Sequence, residues 1–508
     1  MKAANKVAFN SIALYTNMVV SMGVSLYTTR FVLDALGQTD YGIYALIANI
    51  VAMFSFLNVA MAAASQRYLS YAIGENNSER IKETFYSSMI IHLCIALCLA
   101  VLLSSFGLLF INHILDIPSE AIGRARVVLL CMLTGIVFTI TGVPYEAEMN
   151  AHEDIFVIAG INMAEAILKF IISVSILYID VHRLIVYSFL IMGVSGISFL
   201  CKRIYSRLHY RESHYRWHLP KDFRLIKEMT GFAGWNLIGA GCSIARYQGT
   251  AVLLNIFFGI IINAAYGIAQ QVNGFLLFFA NSTVRPLRPQ IIKSEGAGNH
   301  TQMIQLSFSA SRLTFLMLAM LIIPLYINMP HILGIWLKET PEGTLAFCRA
   351  FLLITLIGQL TIGLQIALES VGRIRHLQLL VGSLHIIALP CGYFLFRLGY
   401  SAYSIMYCII AEECVALVLR TLIARKDASV PLRAYYTKLL IPCTVYTLAC
   451  FISTHYLSTY VENPWFKMIG TTSACCLLLG ICAYYGCLTN WEKEKIHSLW
   501  VSIRSRKL

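Results

Sequence analysis

Charge is what this sequence has least of. Only 13% of its 508 residues are Asp, Glu, Lys or Arg, while 58% are hydrophobic. A soluble chain carries nearly twice that share of charge, so a set of soluble domains is excluded. Catalytic signatures are missing as well. The sequence contains no GxxxxGK[ST], which excludes a P-loop for ATP, and no DxD, HExxH or GxSxG. Its 15 cysteines include no CxxC pair, and most lie within apolar runs, as small apolar residues do rather than ligands of a zinc cage. His152 and Glu153 form a lone pair in a loop and do not suggest a metal site. No small-x-small cleavage site precedes Arg30, so the first apolar run, from Val7, reads as a transmembrane helix and not as a signal peptide.

What is present is a series of apolar runs of bilayer length. About fourteen spans are expected, the first over 7–29 and the last over 465–488. The net charge is +13, which invites a nucleic-acid reading until the basic residues are placed. Of the 39 Lys and Arg, 28 fall on one set of alternating connections and 8 on the other, and Lys169, Arg246 and Arg312 lie inside spans. That bias is the positive-inside pattern. It predicts that both termini are cytoplasmic, and it leaves no nucleic acid among the expected partners. The longest connection, near 204–228, reads as a linker that should tolerate insertion near Ser213.

The two halves look alike. Tyr41-Gly42-Ile43 in "LGQTDYGIYALIANIVAMFSFLN" recurs as Tyr266-Gly267-Ile268 in "FGIIINAAYGIAQQVNGFLLFFAN". Six spans per copy is an even number, so both copies insert the same way up, as parallel repeats. The expected division is an N-terminal lobe at 1–204, a linker at 205–228, a C-terminal lobe at 229–425, and two further helices with a tail at 426–508. A substrate is expected in the seam between the lobes, reached by alternating access.

Several stretches carry a family resemblance. "RFVLDALGQTDYGIYAL" at 30–46, "QRYLS" at 66–70, "VPYEAEMNAHED" at 143–154, "LLNIFFGIIINAAYGIAQQVN" and "RPLRPQIIKSEGAG" together resemble the oligosaccharide (O-antigen-type) polysaccharide flippases. Their superfamily also holds the multidrug/toxin extruders and the lipid II flippases. The resemblance covers nearly the whole chain. It implies an all-α polytopic, MATE-like protein of the bacterial inner membrane. It also implies transport of an undecaprenyl-pyrophosphate-linked oligosaccharide to the periplasmic leaflet, for O-antigen, capsule or exopolysaccharide synthesis. Membrane lipids, a polysaccharide polymerase and glycosyltransferases are the partners it suggests. No cofactor and no enzymatic activity are expected. Coupling to H⁺ or Na⁺ follows by analogy. The sequence departs from the family where Tyr266 stands in the commoner "AARGIA", and it is richer in acids at "PYEAEM". A cation-coupled multidrug extruder and a membrane polysaccharide polymerase or ligase are the alternatives.

Candidate site residues are the charges that the membrane makes expensive, a central Lys or Asp costing about 2.5–3.5 kcal/mol. In "EAILKF", Lys169 offers a cation for phosphate and Glu165, one turn earlier, a support for it. Arg246 has no acid within a turn and therefore needs a cavity or a distant partner. Arg30, followed by Asp34, and Arg67, Arg285, Arg288 and Arg312 near span ends are further phosphate candidates, against plain interfacial anchoring. Glu412 and Glu413 are adjacent within a span, so one can pair with a cation while the other carries a coupling proton. Asn10, Asn17, Asn236, Asn255 and Asn273 are expected to hydrogen-bond between helices.

Overall fold

The structure is a computed structural model and describes residues 3–52, 55–113, 119–180, 182–214, 223–337 and 339–494. These form α-helices with short 3₁₀ and π turns and, among the described residues, no strand. In chain order they are α1 (Ala3–Ala52), α2 (Ser55–Gly74), α3 (Ser78–His113), α4 (Ile122–Ala151), α5 (Ile155–Ser175), α6 (Arg183–His209), α7 (Phe223–Val284) and α8 (Arg288–Gly296). There follow α9 (His300–Trp336), α10 (Thr344–Gln359), α11 (Ile362–Val371), α12 (Arg375–Arg397), α13 (Ser404–Ala428), α14 (Leu432–Tyr435), α15 (Ile441–Ser458) and α16 (Pro464–Cys482). The caps follow the sequence. Asn299 accepts from the Gln302 amide at the start of α9, at 3.1 Å, and Asn463 accepts from the Trp465 amide ahead of Pro464, at 3.0 Å.

Two helical runs are too long for one crossing. The 62 residues of α7 would extend about 90 Å at ~1.5 Å per residue, against a hydrocarbon core of about 30 Å. Each long run breaks at a glycine: Gly37 in α1 (φ 72°, ψ 173°) and Gly259 in α7 (φ 80°, ψ −172°). This backbone region is essentially closed to residues with a Cβ. Both breaks reverse the chain. Asn10 donates to the Glu153 carbonyl just beyond the end of α4, while Asp40 pairs with Arg124 near its start. By Ser65, which bonds Ser88, the chain has returned to the far end, where Phe85 meets Tyr145. In α7 the Tyr266 hydroxyl reaches the Tyr247 carbonyl at 3.4 Å, a contact that 19 residues of unbroken helix would forbid. Each break lies a few residues before one copy of Tyr-Gly-Ile.

Among the described residues, nine helices are long and apolar enough to cross a membrane, and α10 with α11, bent by 43°, makes a tenth. The expected count of about fourteen differs for identifiable reasons. Both expected crossings 7 and 8 lie in α7, crossings 1 and 2 lie in α1 and α2, and crossing 12 is α13, whose Glu412, Glu413 and Arg420 make it too charged to pass unassisted.

The chain forms two compact units, one of Ala8–Leu237 and one of Ile238–Leu508 with Met1–Val7. In the first, α4 is the central helix, packed on α2, α3 and α6 around Val32, Ile47, Leu103, Val128 and Leu184. In the second, α9 is central. One apolar cluster joins it to α11, α13, α15 and α16 through Phe315, Leu364, Ala416, Cys450 and Leu479, and another joins α7, α10 and α13 through Tyr266, Phe347 and Ile405.

Candidate functional site: charged clusters within the helices

In the second unit α7, α12 and α13 bring five ionisable groups together. Arg246 Nη1 donates to both carboxylate oxygens of Glu412, at 3.1 and 3.0 Å, and lies 3.8 Å from Glu413. His385 Nδ1 makes a very short contact with Glu412 Oε1. Arg420 pairs with Glu413 and also donates to the Thr361 hydroxyl at 3.2 Å, at the bend between α10 and α11. All five are less than 9% exposed. Two guanidinium groups facing two carboxylates make a cluster whose fixed charges cancel, the condition under which such groups stay buried. The Arg246 side chain also lies over the Tyr247 ring at 5.1 Å.

The distant partner expected for Arg246 is thus Glu412. Glu412 and Glu413 each face a cation, Arg246 and Arg420 respectively. Arg420 is a buried member of α13. Neither Arg420 nor His385 was among the sequence candidates, although Glu413 and Arg420 are seven residues apart and so share a helix face. Tyr266 is 1% exposed and packs against Phe347 and Phe351.

In the first unit Lys169 Nζ and Glu165 Oε1 pair at 2.7 Å across one turn of α5. They differ from the α13 cluster in being partly open, with side chains 38% and 24% exposed. Glu165 lines a cavity of about 180 Å³ between α5 and α6 with Gly160, Leu168, Ile197 and Ser198. Arg67 is buried and stacks on Tyr68, Tyr71 and Phe232, at 4.4, 4.9 and 5.7 Å from the ring centres. Arg30 and Asp34 are exposed and form no ion pair among the described residues. The two acids of "PYEAEM" part company: Glu146 pairs with Lys202 at 2.8 Å, while Glu148 is fully buried, and neither of its oxygens makes a hydrogen bond among the described residues. Sequence reasoning marked both as a departure from the family pattern and named neither as a site residue.

The remaining arginines occupy helix ends of the second unit. Arg288, at the start of α8, pairs with Glu369 of α11 at 3.3 Å, and Arg285 is half-buried beside it in the chain. Arg312, three turns into α9 and 1% exposed, is held by Glu492 and by the Lys438 carbonyl at 2.9 Å. Of the asparagines, Asn10 bonds the α4–α5 turn through Glu153 and Phe156, Asn17 accepts from Ser21, and Asn273 accepts from Thr355. Asn255 is exposed.

The segment after α6 is not a slack linker. His152 Nε2 and Glu212 Oε1 are 2.6 Å apart, and the His152 ring stacks on Tyr210 at 4.3 Å. Tyr210 donates to Asp154 at 2.6 Å, and the Ser213 hydroxyl donates to the Ser206 and Tyr210 carbonyls at 2.8 Å. Ser213 is 5% exposed, so insertion there would break a packed turn. Burial opposes ionisation of Glu212, yet the hydrogen bond from His152 holds its carboxyl below the usual range. Burial, then the Asp154 carboxylate, pushes the Tyr210 phenol up. His152 is therefore one side of a latch to the α6 end and not a lone loop residue. Of the rest of the expected linker, 223–228 begins α7 and 215–222 lies outside the described residues.

Comparison with known proteins gives the same architecture. Residues 13–175, all within the first unit, match the MatE family. The chain aligns with a MOP superfamily transporter of Pyrococcus furiosus Vc1 (DSM3638) at a TM-score of 0.72 and 11% identity, over 86% of this chain and 97% of that one. For that protein, a reversed polarity of the binding pocket suggests a different function. An outward-facing multidrug resistance MATE family transporter of the MOP superfamily aligns at 0.71 and 11%, over 84% and 96%. The uncharacterized membrane protein EpsK of Bacillus subtilis (strain 168) is 20% identical over 323 residues, and the chain spans 62% of its length. The fold is MATE-like.

Proposed function

We infer that the protein is a flippase that carries an undecaprenyl-pyrophosphate-linked oligosaccharide from the cytoplasmic to the periplasmic leaflet of a bacterial inner membrane by alternating access. The observation that carries this reading is the Glu165–Lys169 pair. A buried structural ion pair is dry, as Arg246 and Glu412 are. This pair sits in an apolar helix and remains open, so its ammonium can exchange a carboxylate partner for a phosphate one. A pyrophosphate cannot cross hydrocarbon unaided, and a path for it needs such cations. The MATE-like fold supports a transporter of this architecture, and the motifs quoted above favour the polysaccharide branch. Arg246, the second cation of this reading, is sealed against Glu412 and joins the path only in a state of the cycle that opens that pair. Coupling to H⁺ or Na⁺ belongs to the same reading.

The test is complementation. In strains that each lack one lipid-linked oligosaccharide flippase, surface polysaccharide should return in at least one when this chain is expressed, and Lys169→Met should abolish the return at equal membrane levels. Drug resistance conferred without any polysaccharide phenotype would favour an extruder instead. A requirement for added polymerase substrate, without translocation, would favour a polymerase or ligase.

A further inference from the structure

The second unit contains a cavity of about 610 Å³ that none of the transport argument uses. Three segments enclose it: the first turns of α9 from Thr301 to Arg312, the connection Ser429–Lys438 that follows α13, and Thr489–Trp491 beyond α16. All three are helix ends, so the cavity lies at the rim of the bundle, where headgroups would be. Its volume is that of an ordinary small-ligand pocket. Most of its wall is apolar, with Ile304, Phe308, Pro431 and Ala434, and Trp491 closes one side.

Its charged lining groups are cationic, beside neutral polar ones such as Gln305 and Asn490. Arg312 lines the wall, and its two Nη atoms are committed to Glu492 and to the Lys438 carbonyl, but its buried Nε has no hydrogen-bond partner among the described residues. Lys438 also lines the cavity, and it forms no ion pair among the described residues. It sits in a π-helical turn, Tyr436–Leu440, an uncommon geometry found most often where a helix serves a site. The one acid nearby, Glu492, is already used. It takes the Thr489 amide at 2.8 Å and the Ser309 hydroxyl at 2.6 Å as well as Arg312. The Thr489-x-x-Glu492 spacing is a capping box that fixes this wall.

We propose that this cavity binds an anionic membrane phospholipid, its phosphate at Lys438 and an acyl chain along Ile304, Phe308 and Ala434. A wall of apolar residues with a free ammonium at a helix-end rim is the chemistry by which basic pockets between membrane helices take phosphate headgroups. The chain's own tail is a poorer occupant: residues 495–508 contain Lys495, Arg504, Arg506 and Lys507 and no acid, so like charges meet.

The full-length protein is placed in nanodiscs of phosphatidylcholine, or of phosphatidylcholine mixed with phosphatidylglycerol, with one lipid at a time carrying brominated chains. The readout is quenching of Trp491, taken as wild type minus Trp491→Phe. Brominated phosphatidylglycerol should quench more strongly than brominated phosphatidylcholine. Lys438→Gln should weaken that preference about fivefold, equivalent to ~1 kcal/mol for one basic side chain beside an anionic lipid, and Lys438→Arg should keep it. Equal quenching by the two lipids in the wild type would overturn the proposal. So would a Trp491 response to inorganic phosphate alone in detergent that is as large as the lipid effect, which would make the cavity a free-anion site. Quenching by both lipids that rises equally when the chain stops after Glu494 would show the tail to be the occupant and overturn it too.

Discussion

Arg246 and Glu412 stand 166 residues apart and meet with one guanidinium nitrogen within 3.1 Å of both carboxylate oxygens. The pair links α7 to α13, and through His385 and Arg420 it reaches α12 and the α10–α11 bend. Replacing Glu412 with Ala leaves Arg246 buried with Glu413 at 3.8 Å as its nearest acid. Breaking one side of such a pair costs about 3–5 kcal/mol, whereas exchanging both partners for apolar side chains is often neutral. Glu412→Ala should therefore lower the thermal midpoint in detergent strongly, and Arg246→Met combined with Glu412→Leu should recover much of it. A double variant as unstable as the single one would show that His385 or Glu413 dominates the cluster.

Gly37 and Gly259 give a test of the chain reversals. A Cβ built at either meets nothing within 4 Å, so any penalty is one of backbone alone. With φ near +75° and ψ near 180°, Asn should be no better tolerated than Ala, since Asn helps only in the left-handed helical region. Gly259→Ala and Gly259→Asn should each lower the yield of folded protein, at a cost of about 1–3 kcal/mol. Gly372, at φ 84° and ψ 7°, is the control, and Gly372→Asn should be accepted. Normal yield and thermal midpoint for Gly259→Asn would show that the break can relax.

These contrasts indicate what a sequence discloses in a chain of this kind. Apolar length and charge bias are local properties, so the helical class and the approximate positions of the spans could be read. The repeat showed in Tyr41-Gly42-Ile43 and Tyr266-Gly267-Ile268, and the reversals beside them fell on glycines. Glu165 and Lys169 could be paired because they are one turn apart. Arg246 could be recognised as needing a partner, but not matched to Glu412, because a contact between α7 and α13 is set by packing. His385 was hidden in "LHIIALP", where a lone histidine carries no spacing signal. Glu492 carries no sequence signal for Arg312, 180 residues away, and only their contact in the fold gives it a role.

The latch between the α4–α5 turn and the end of α6 should respond to acid. Glu212 has its folded-state pKa held below the ordinary value of 4.5, with burial opposing and the His152 hydrogen bond favouring the charged form. A depressed carboxyl contributes stability that is present above the unfolded value and lost as pH falls through the folded one. Protection of the Tyr210–His214 amides from hydrogen exchange, corrected for intrinsic rates, should thus be steady above pH 4.5 and fall below it. Glu212→Gln should remove the step and lower protection at neutral pH. A wild-type step centred well above pH 4.5 would assign the titration to another group.

The Glu165–Lys169 pair yields the sharpest test of the proposed function. On the transport reading the partly exposed side chains face an aqueous path, where such a pair is worth about 0–1 kcal/mol to stability. Lys169→Met should therefore cost far less thermal stability than Glu412→Ala, and the double variant Glu165→Gln with Lys169→Met should fold and reach the membrane at normal levels. On the transport reading both variants fail to restore surface polysaccharide, because the cation that meets pyrophosphate is gone. Lys169→Arg should retain part of the activity, since it keeps the charge but exchanges a compact ammonium for a planar fork. Glu165→Gln alone should leave Lys169 available and reduce export less than Lys169→Met. The measurement is surface polysaccharide normalised to membrane-inserted protein. Wild-type export by the double variant would remove Lys169 from the substrate path and leave the pair as a support between α5 and its neighbours, with the MATE-like fold unaffected.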